Sequence, residues 1–361
     1  MARRYRTAHL GMGHRGLVHA DAFCELADRF ELVGLCDLRE EPLRNYAREH
    51  GLSDEILFTD AEAMLAATRP EVFCFITQPD TPRVFFTELA AKYGVKAIAL
   101  EKPMALSLAE ASAMVHLCQQ HGIKGVVSHQ QKYLTSLRKV KDLVQSGAIG
   151  DIMLITASCQ ATLTNLGTHY VDYVMWVNDF IPVEWVVGHV HGKDLLTNNH
   201  PSPNYVMGQL GFANGVRALV EFGLLSAAQM SPEHYWVDNR LTVYGTRGHA
   251  WGETDGRWGA LVDGEEMMEQ GDDWDTQQST QLQPLYLAEL ADWLDGKIPD
   301  HSSNIEHAYL GYQILEALCI SAMDHTRVEL PLDPTRYEEI FTRMRRELPE
   351  CPERNGAVAP V

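Results

Sequence analysis

Short apolar runs alternating with amphipathic segments organise the first third of the chain. Residues 8–10, 31–36, 71–77, 97–100 and 124–127 read as strands. Residues 17–29, 41–50, 58–67, a segment running to Tyr93 and 108–121 read as helices. Strand and helix in turn predict a parallel sheet with right-handed crossovers. The run 71–77 is apolar almost throughout, as expected of a strand buried on both faces. After a helix ending at Ser146-Gly147 the period changes to two: 151–159, 183–191, 205–212, 216–222, 241–244, 250–253 and 258–262 alternate apolar and polar residues. That pattern predicts an antiparallel sheet with one covered face, and Asn214-Gly215 reads as a hairpin turn. The polar stretch 263–283 reads as a loop. Residues 285–294 and 305–322 carry apolar positions at helical spacing and are predicted to pack back on that sheet, with a loose tail from Pro349.

Composition narrows the class. A chain of 361 residues suits two domains, and 45% hydrophobic with 22% charged residues is a globular balance. A formal net charge of −19 disfavours nucleic acid and anionic membrane as partners. No apolar run reaches bilayer length, and the basic Met1–Arg6 start is followed by glycines rather than a signal core. Seven scattered cysteines without a Cys-x-x-Cys pair read as reduced core residues of a cytoplasmic protein, with no metal site.

Candidate chemistry begins at Gly11-Met12-Gly13-His14-Arg15-Gly16, where glycines in the order Gly-x-Gly-x-x-Gly follow a strand. Gly11 permits the tight turn, Gly13 lets a pyrophosphate approach the backbone, and Gly16 lets the helix lie close to the strand. The next strand ends in Asp37, at the spacing of an acid that binds an adenosine ribose diol, followed by Leu38 and Arg39. Asp37 favours NAD, and Arg39 leaves NADP as the lesser alternative. The architecture is therefore α/β: an N-terminal Rossmann domain over 1–127, an α+β domain with a large open, mainly antiparallel sheet over 128–348, and a tail over 349–361. Thr77, Gln78 and Pro79 fall on a loop at the carboxyl edge of the first sheet, where such folds bind ligands. Glu101-Lys102-Pro103 ends the strand beside it, as either a surface ion pair or a lysine held for chemistry. Gln130, Lys132 and Tyr133 follow the last strand and suit sugar hydroxyls or the nicotinamide amide, while a solvated loop serves Lys132 equally well. His189 and His191 share a strand face without a third ligand, so a packed or exposed face is preferred to a metal. Trp236, Trp251, Trp258 and Trp274 read as core or subunit contacts in preference to sugar-stacking rings.

The glycine turn, Glu101-Lys102-Pro103, the joint Ser146-Gly147-Ala148-Ile149-Gly150-Asp151 and the stretch Asn165-Leu166-Gly167-Thr168-His169-Tyr170-Val171-Asp172 occur in this order. Together they resemble the Gfo/Idh/MocA oxidoreductases over nearly the whole length, down to a closing Val328-Glu329-Leu330-Pro331. The resemblance implies NAD(P)-dependent hydride transfer on sugars, cyclitols or related polyols. It also implies homodimers or homotetramers built through the open sheet. It places the family's lysine on Lys102 and its catalytic histidine on His169. The family usually has an acid where this chain has Asn165, so either Asp172 compensates or the proton transfer differs. Arg83 stands where a histidine often follows the loop, and a cation there would favour an acidic sugar.

Oxidising a secondary alcohol needs a base on its hydroxyl, and His169 titrates in the right range. Lys102 would stabilise the alkoxide, and Asp172, one turn after His169, would orient the ring or hold a hydroxyl. Thr168 and Asn165 complete the expected substrate set. Three functions follow. The first is an NAD-dependent dehydrogenase of a sugar, sugar acid, polyol or glycoside. The second is an NAD-dependent glycosidase that oxidises, eliminates, hydrates and reduces, possible on an acidic or sulfonated glycoside. The third, disfavoured by the presence of both Lys102 and His169, is a non-catalytic NAD and sugar sensor.

Overall fold

The computed structural model describes residues 3–78, 80–198, 200–226, 239–269, 282–335 and 339–351. The chain forms two compact units: Met1–Gln130 with Asp275–Tyr309, and Gln131–Trp274 with Leu310–Val361. The sequence places boundaries at 127/128 and 348/349, whereas each compact unit here is built from two segments.

In the first unit, β1 (Tyr5–Leu10), α1 (His14–Glu25), β2 (Phe30–Cys36), α2 (Glu40–His50), β3 (Leu57–Phe58), α3 (Ala61–Thr68) and β4 (Val72–Phe75) alternate. They are followed by α4 (Arg83–Lys92), β5 (Ala97–Leu100), α5 (Leu108–His121) and β6 (Lys124–Val127). The strands make one parallel sheet in the order β3-β2-β1-β4-β5-β6. All residues of β4 and β5 are buried, which is why those runs lack alternation. Helix limits follow local chemistry. Ser107 accepts a hydrogen bond from Glu110 N to start α5, and Gly122 at φ 64° stops it. Residues 58–67 were expected to be one helix. Instead Leu57–Phe58 pairs with β2 as an edge strand, and the Asp60 side chain caps α3 through Ala63 N. The register aligns Leu10 with Cys36 and Phe75, Phe75 with Leu100, and Leu100 with Val127. Strands ending level deliver Gly11, Asp37, Thr77, Glu101 and Ser128 to one carboxyl edge.

The second unit holds α6 (Thr135–Gln145), β7 (Ile152–Cys159), α7 (Thr168–Val177), β8 (Val183–His191), β9 (Tyr205–Phe212) and β10 (Arg217–Gly223). Next come β11 (Asn239–Gly245), β12 (Gly248–Gly252), β13 (Trp258–Val262) and β14 (Glu265–Glu269). Helices α6 and α7 pack on one face of their sheet. The sheet is mixed at its centre, because β7 and β10 run parallel while the other pairs are antiparallel. Strand β14 lies inside the stretch read as a loop. Asp263 (φ 51°) and Gly264 (φ 89°) turn the chain back, and the charged Glu265-Glu266 had masked the hairpin. Along the strands one side is buried, as at Val186 and Val190, while Val187, Met207, Leu219 and Tyr244 are exposed.

The chain then re-enters the first unit. Helix α8 (Leu282–Leu294) packs on α1, with Tyr5 OH donating to Asp295 (2.7 Å) and Arg29 pairing with Asp292 (2.8 Å). The expectation that this helix covers the second sheet is corrected here: an apolar stripe shows that a helix is buried, not against which partner. Helix α9 (Ile305–Asp324) begins in the first unit and continues in the second, where β15 (Val328–Glu329) pairs with β8 and α10 (Ile340–Glu347) follows. The tail expected to be loose from Pro349 is tied at its start. Pro349 O accepts from Lys193 N (3.1 Å), and Cys351 N donates to Asp194 (3.1 Å). Residues 352–361 lie outside the described residues.

Candidate active site

At the carboxyl edge of the first sheet the three glycines have separate duties. Gly11 has φ 98°, and a Cβ there would lie 2.1 Å from Ile76 O; a Cβ on Gly16 would lie 2.0 Å from Gly11 O. Gly13 has no heavy atom within 4 Å of such a Cβ, so its backbone faces open space. Gly13 also caps α1 without a side chain, leaving the first N–H groups of the helix pointing outward. Asp37 fixes this turn: its carboxylate accepts from Met12 N (2.8 Å) and Arg39 N (3.0 Å). Two further lone-pair directions suit a diol. Leu38 is 91% exposed, His14 is exposed, and the Arg39 guanidinium lies 3.4 Å from Asp37. Gln78 is exposed and Thr77 half-buried, its Oγ1 without a partner among the described residues, while Pro79 lies outside them.

Glu101 anchors a buried polar cluster. Its Oε1 accepts from Arg15 Nε (3.1 Å), Arg15 Nη2 (3.0 Å) and His19 Nε2 (3.1 Å), and Oε2 from Lys102 N (3.3 Å). Burial would raise this carboxyl, but Arg15 and His19 outweigh it and hold the group well below the usual carboxylate range. His19 is neutral. Burial lowers its proton affinity, and its Nδ1 faces the Gln283 amide (3.1 Å) and the Cys74 thiol (3.7 Å), leaving Nε2–H to donate to Glu101. Gln130 joins the cluster with its amide turned to donate to Ser128 Oγ (3.2 Å) and O (2.9 Å) and accept from Arg15 (3.1 Å). The Lys102 ammonium is pulled down to about 8 by burial, with Arg15 and Arg83 adding to that against Glu101. Arg83, expected as a presented cation, is 1% exposed and donates to Glu101 O (2.8 Å) and Thr77 O (3.4 Å).

In the second unit, His169 lies in the first turn of α7, 1% exposed. Tyr173, one turn on, donates its hydroxyl to Gln131 Oε1 (2.9 Å) and lies 3.2 Å from His169 Nδ1. Burial pushes that phenol well up, so it keeps its proton. With the phenolic hydrogen on Gln131, the phenolic oxygen accepts from Nδ1–H, which puts the imidazole lone pair on Nε2, as general-base chemistry requires. Asp172, expected to orient the ring or hold a hydroxyl, lies buried on α7 directly before Tyr173. It pairs with Lys132 Nζ at 2.8 Å, both side chains essentially buried (1% and 0% exposed). The solvated reading of Lys132 is thereby overturned; its ammonium also lies 5.5 Å from the Phe180 ring centroid. Tyr133 is buried with Arg138 over its ring, and Thr168 donates to the Asn165 carbonyl (3.0 Å) in the wide, π-helical turn Leu163–Gly167 that leads into α7. His189 sits on the exposed side of β8 against Tyr205, and among the described residues no cluster of metal-ligating side chains occurs. Trp251 lies beneath Arg240 and Trp258 beneath Lys139, while Trp236 and Trp274 lie outside the described residues.

The chain matches the family described as "Oxidoreductase family, NAD-binding Rossmann fold" over residues 5–129 and the "GFO/IDH/MocA C-terminal domain" over residues 160–251. These matches cover more than half of the chain in the expected order. The chain belongs to the Gfo/Idh/MocA oxidoreductase family. Its first unit carries the family's NAD-binding Rossmann fold, as the sequence predicted. A D-apiose dehydrogenase of Paraburkholderia graminis is 35% identical over 148 residues, 41% of this chain and 38% of that relative, so the chain spans about two fifths of it in this match. A myo-inositol 2-dehydrogenase of Thermotoga maritima is 22% identical over 253 residues, 67% of this chain and 73% of the relative. An oxidoreductase of Agrobacterium radiobacter, solved in complex with NAD+, L-tartaric acid and magnesium, shares the fold with a TM-score of 0.77 at 18% identity. That match covers 91% of this chain and 98% of the other.

Sequence reasoning missed Tyr173, Gln131, His19 and Gln283. Tyr173 was within reach, because it follows His169 by four residues on one helix face. Gln283 was not, since nothing local signals a partner so distant along the chain. Among the described residues no helix is long and apolar enough to cross a membrane.

Proposed function

We propose that this Gfo/Idh/MocA member transfers a hydride between NAD and a secondary alcohol carbon of a sugar, sugar acid, polyol or glycoside, with His169 as the base on the hydroxyl. The observation that carries this reading is the hydrogen-bonded series Gln131, Tyr173, His169, which holds a buried imidazole as the tautomer with Nε2 ready to take a proton. Lys102 serves as the cation that stabilises an alkoxide, and its lowered proton affinity suits it to pass a proton as well. The open Gly13 backbone and uncapped α1 fit a pyrophosphate, and Asp37, Leu38 and Arg39 fit an adenosine end. In this reading Gly11 and Gly16 shape the turn, Met12, His14, Arg15, Thr77 and Gln78 border it, and Glu101 and Gln130 brace it. When bound, NAD supplies the hydride acceptor. Asp37 supports NAD over NADP because its carboxylate repels a 2′-phosphate. Lys132 and Asp172 act by holding the floor of α7, and Tyr133, Asn165 and Thr168 remain the proposed substrate contacts. With Arg83 buried, the argument for an acidic substrate no longer stands.

The exposed apolar side chains Val187, Met207, Leu219 and Tyr244 support a homodimer or homotetramer through the open sheet face. Seven free thiols support a reducing, cytoplasmic location.

The test combines the purified protein and NAD with free sugars, polyols, sugar acids and aryl glycosides, following NADH absorbance and aglycone release together. NADH formation that disappears in His169→Ala, while NADH binding persists, is expected. Turnover at the parental rate in that variant would overturn the assignment, and aglycone release without net NADH would make the reaction a redox-neutral glycoside cleavage.

A further inference from the structure

Arg83 is an unusual residue for its place. It opens α4, where the positive end of the helix dipole disfavours a cation, and it is almost wholly buried. Its bonds go to two backbone carbonyls, Glu101 O at 2.8 Å and Thr77 O at 3.4 Å, and among the described residues its Nε has no partner. Glu110 is occupied with the backbone instead, accepting from Arg83 N (2.6 Å) and Val84 N (3.3 Å). A buried guanidinium so incompletely neutralised destabilises the fold unless its charge or its clamp has another use. The two carbonyls it ties lie just beyond the ends of the adjacent strands β5 and β4, and the first of them belongs to the residue immediately before Lys102.

We propose that Arg83 is a positioning residue for Lys102: it fixes the Glu101–Lys102 peptide against the Thr77 strand end and brings a second buried positive charge to the neighbourhood of the ammonium. The inference rests on the role given to Lys102 above and deepens it. The charged and titratable groups around Lys102 in this unit are Glu101 on its own strand, Arg15 and His19 from α1, Arg83 from α4, and Glu110 from α5. Glu101 favours the ammonium, while Arg15 and Arg83 oppose it beyond the effect of burial. The Arg83 guanidinium, lowered to about 10 by burial, stays charged through the range in which Lys102 titrates. Arg15 is bound to Glu101 and partly exposed, so its field is screened. Arg83 is buried and adds its charge to that of Arg15 in opposing the ammonium.

The experiment reads Lys102 directly, without a substrate. Full-length protein is labelled with trace acetic anhydride from pH 6 to 10.5, and mass spectrometry follows the acetylated fraction of Lys102 against that of exposed lysines such as Lys139. The parent should show a Lys102 midpoint below that of the exposed lysines. In Arg83→Gln, which can still donate to a carbonyl but carries no charge, the midpoint should rise by about one pH unit. Arg83→Lys, which keeps the charge, should leave it within a few tenths of the parent. An unchanged midpoint in folded Arg83→Gln overturns the proposal. So does a parental midpoint level with the exposed lysines, which needs no variant to fold. Because labelling requires no turnover, failure of the hydride-transfer reading leaves this result intact, and failure here leaves that reading standing.

Discussion

The Lys132–Asp172 pair allows a worked prediction. Both side chains are essentially out of solvent and 2.8 Å apart, so neither charge has water to fall back on. Replacing Lys132 by Met keeps an apolar side chain of similar length but removes the charge paired with the buried Asp172 carboxylate. Breaking a buried pair from one side destabilises by about 3–5 kcal/mol. A domain of this size loses ~2–4 °C in Tm for each kcal/mol, so the expected fall is ~6–20 °C. The double variant Lys132→Met with Asp172→Leu removes both charges at similar volume and should recover most of the loss. Differential scanning calorimetry of the parent, two singles and the double at pH 7 measures all four corners of the cycle. A Tm for Lys132→Met within ~2 °C of the parent would refute the reasoning. So would a double variant no more stable than the singles. Had Lys132 been a substrate contact on a solvated loop, its loss would have raised KM and left Tm alone.

Other outcomes follow from the same structure. Gly16→Ala should lower both Tm and NADH affinity, because its Cβ would meet Gly11 O at 2.0 Å; Gly13→Ala has open space and should keep its Tm while weakening NADH binding in a fluorescence titration. Equal NADH affinity in parent and Gly13→Ala would contradict a pyrophosphate at that turn. Glu101 has a folded-state pKa depressed below its unfolded value, so its stabilising effect is present above about pH 4.3 and is lost as pH falls through the folded value. Glu101→Gln should therefore be less stable by about 2 kcal/mol at pH 7, with the difference narrowing below about pH 4. A Tm gap constant from pH 7 to pH 3 would remove that explanation. Leu219→Asp on the open sheet face should convert an oligomer to a smaller species in light scattering, and an unchanged mass would exclude that face as the interface.

What the sequence disclosed was what local physics writes locally. Ala97–Leu100, Leu108–His121, Lys124–Val127, Val183–His191 and Tyr205–Phe212 were legible to the residue because caps, glycines or polar turns bound them. Strand β14 was hidden because a two-residue turn led into charged residues on an edge strand, where hydrophobic alternation is weakest. In the candidate site, the glycine turn and Asp37 could be read because each spacing has one geometric purpose. Lys132 and Arg83 could not, because a cation in a sequence looks solvated until its countercharge or carbonyl partners are known. His169 was found through resemblance, and its ring partner Tyr173 was within reach at the i, i+4 spacing, whereas Gln131, which takes the Tyr173 proton, had no local signal.

The return of residues 275–309 to the first unit has a consequence for how the protein is made. Helix α8 supplies Gln283 to the His19 cluster and Asp292 and Asp295 to Arg29 and Tyr5, so the amino-terminal domain lacks a wall until those residues exist. On the ribosome, the domain that starts first is completed only after strands β7 to β14 of the second sheet have been synthesised. A nascent chain halted after residue 130 would carry a finished parallel sheet with one flank of α1 bare, a surface suited to chaperone capture rather than to cofactor.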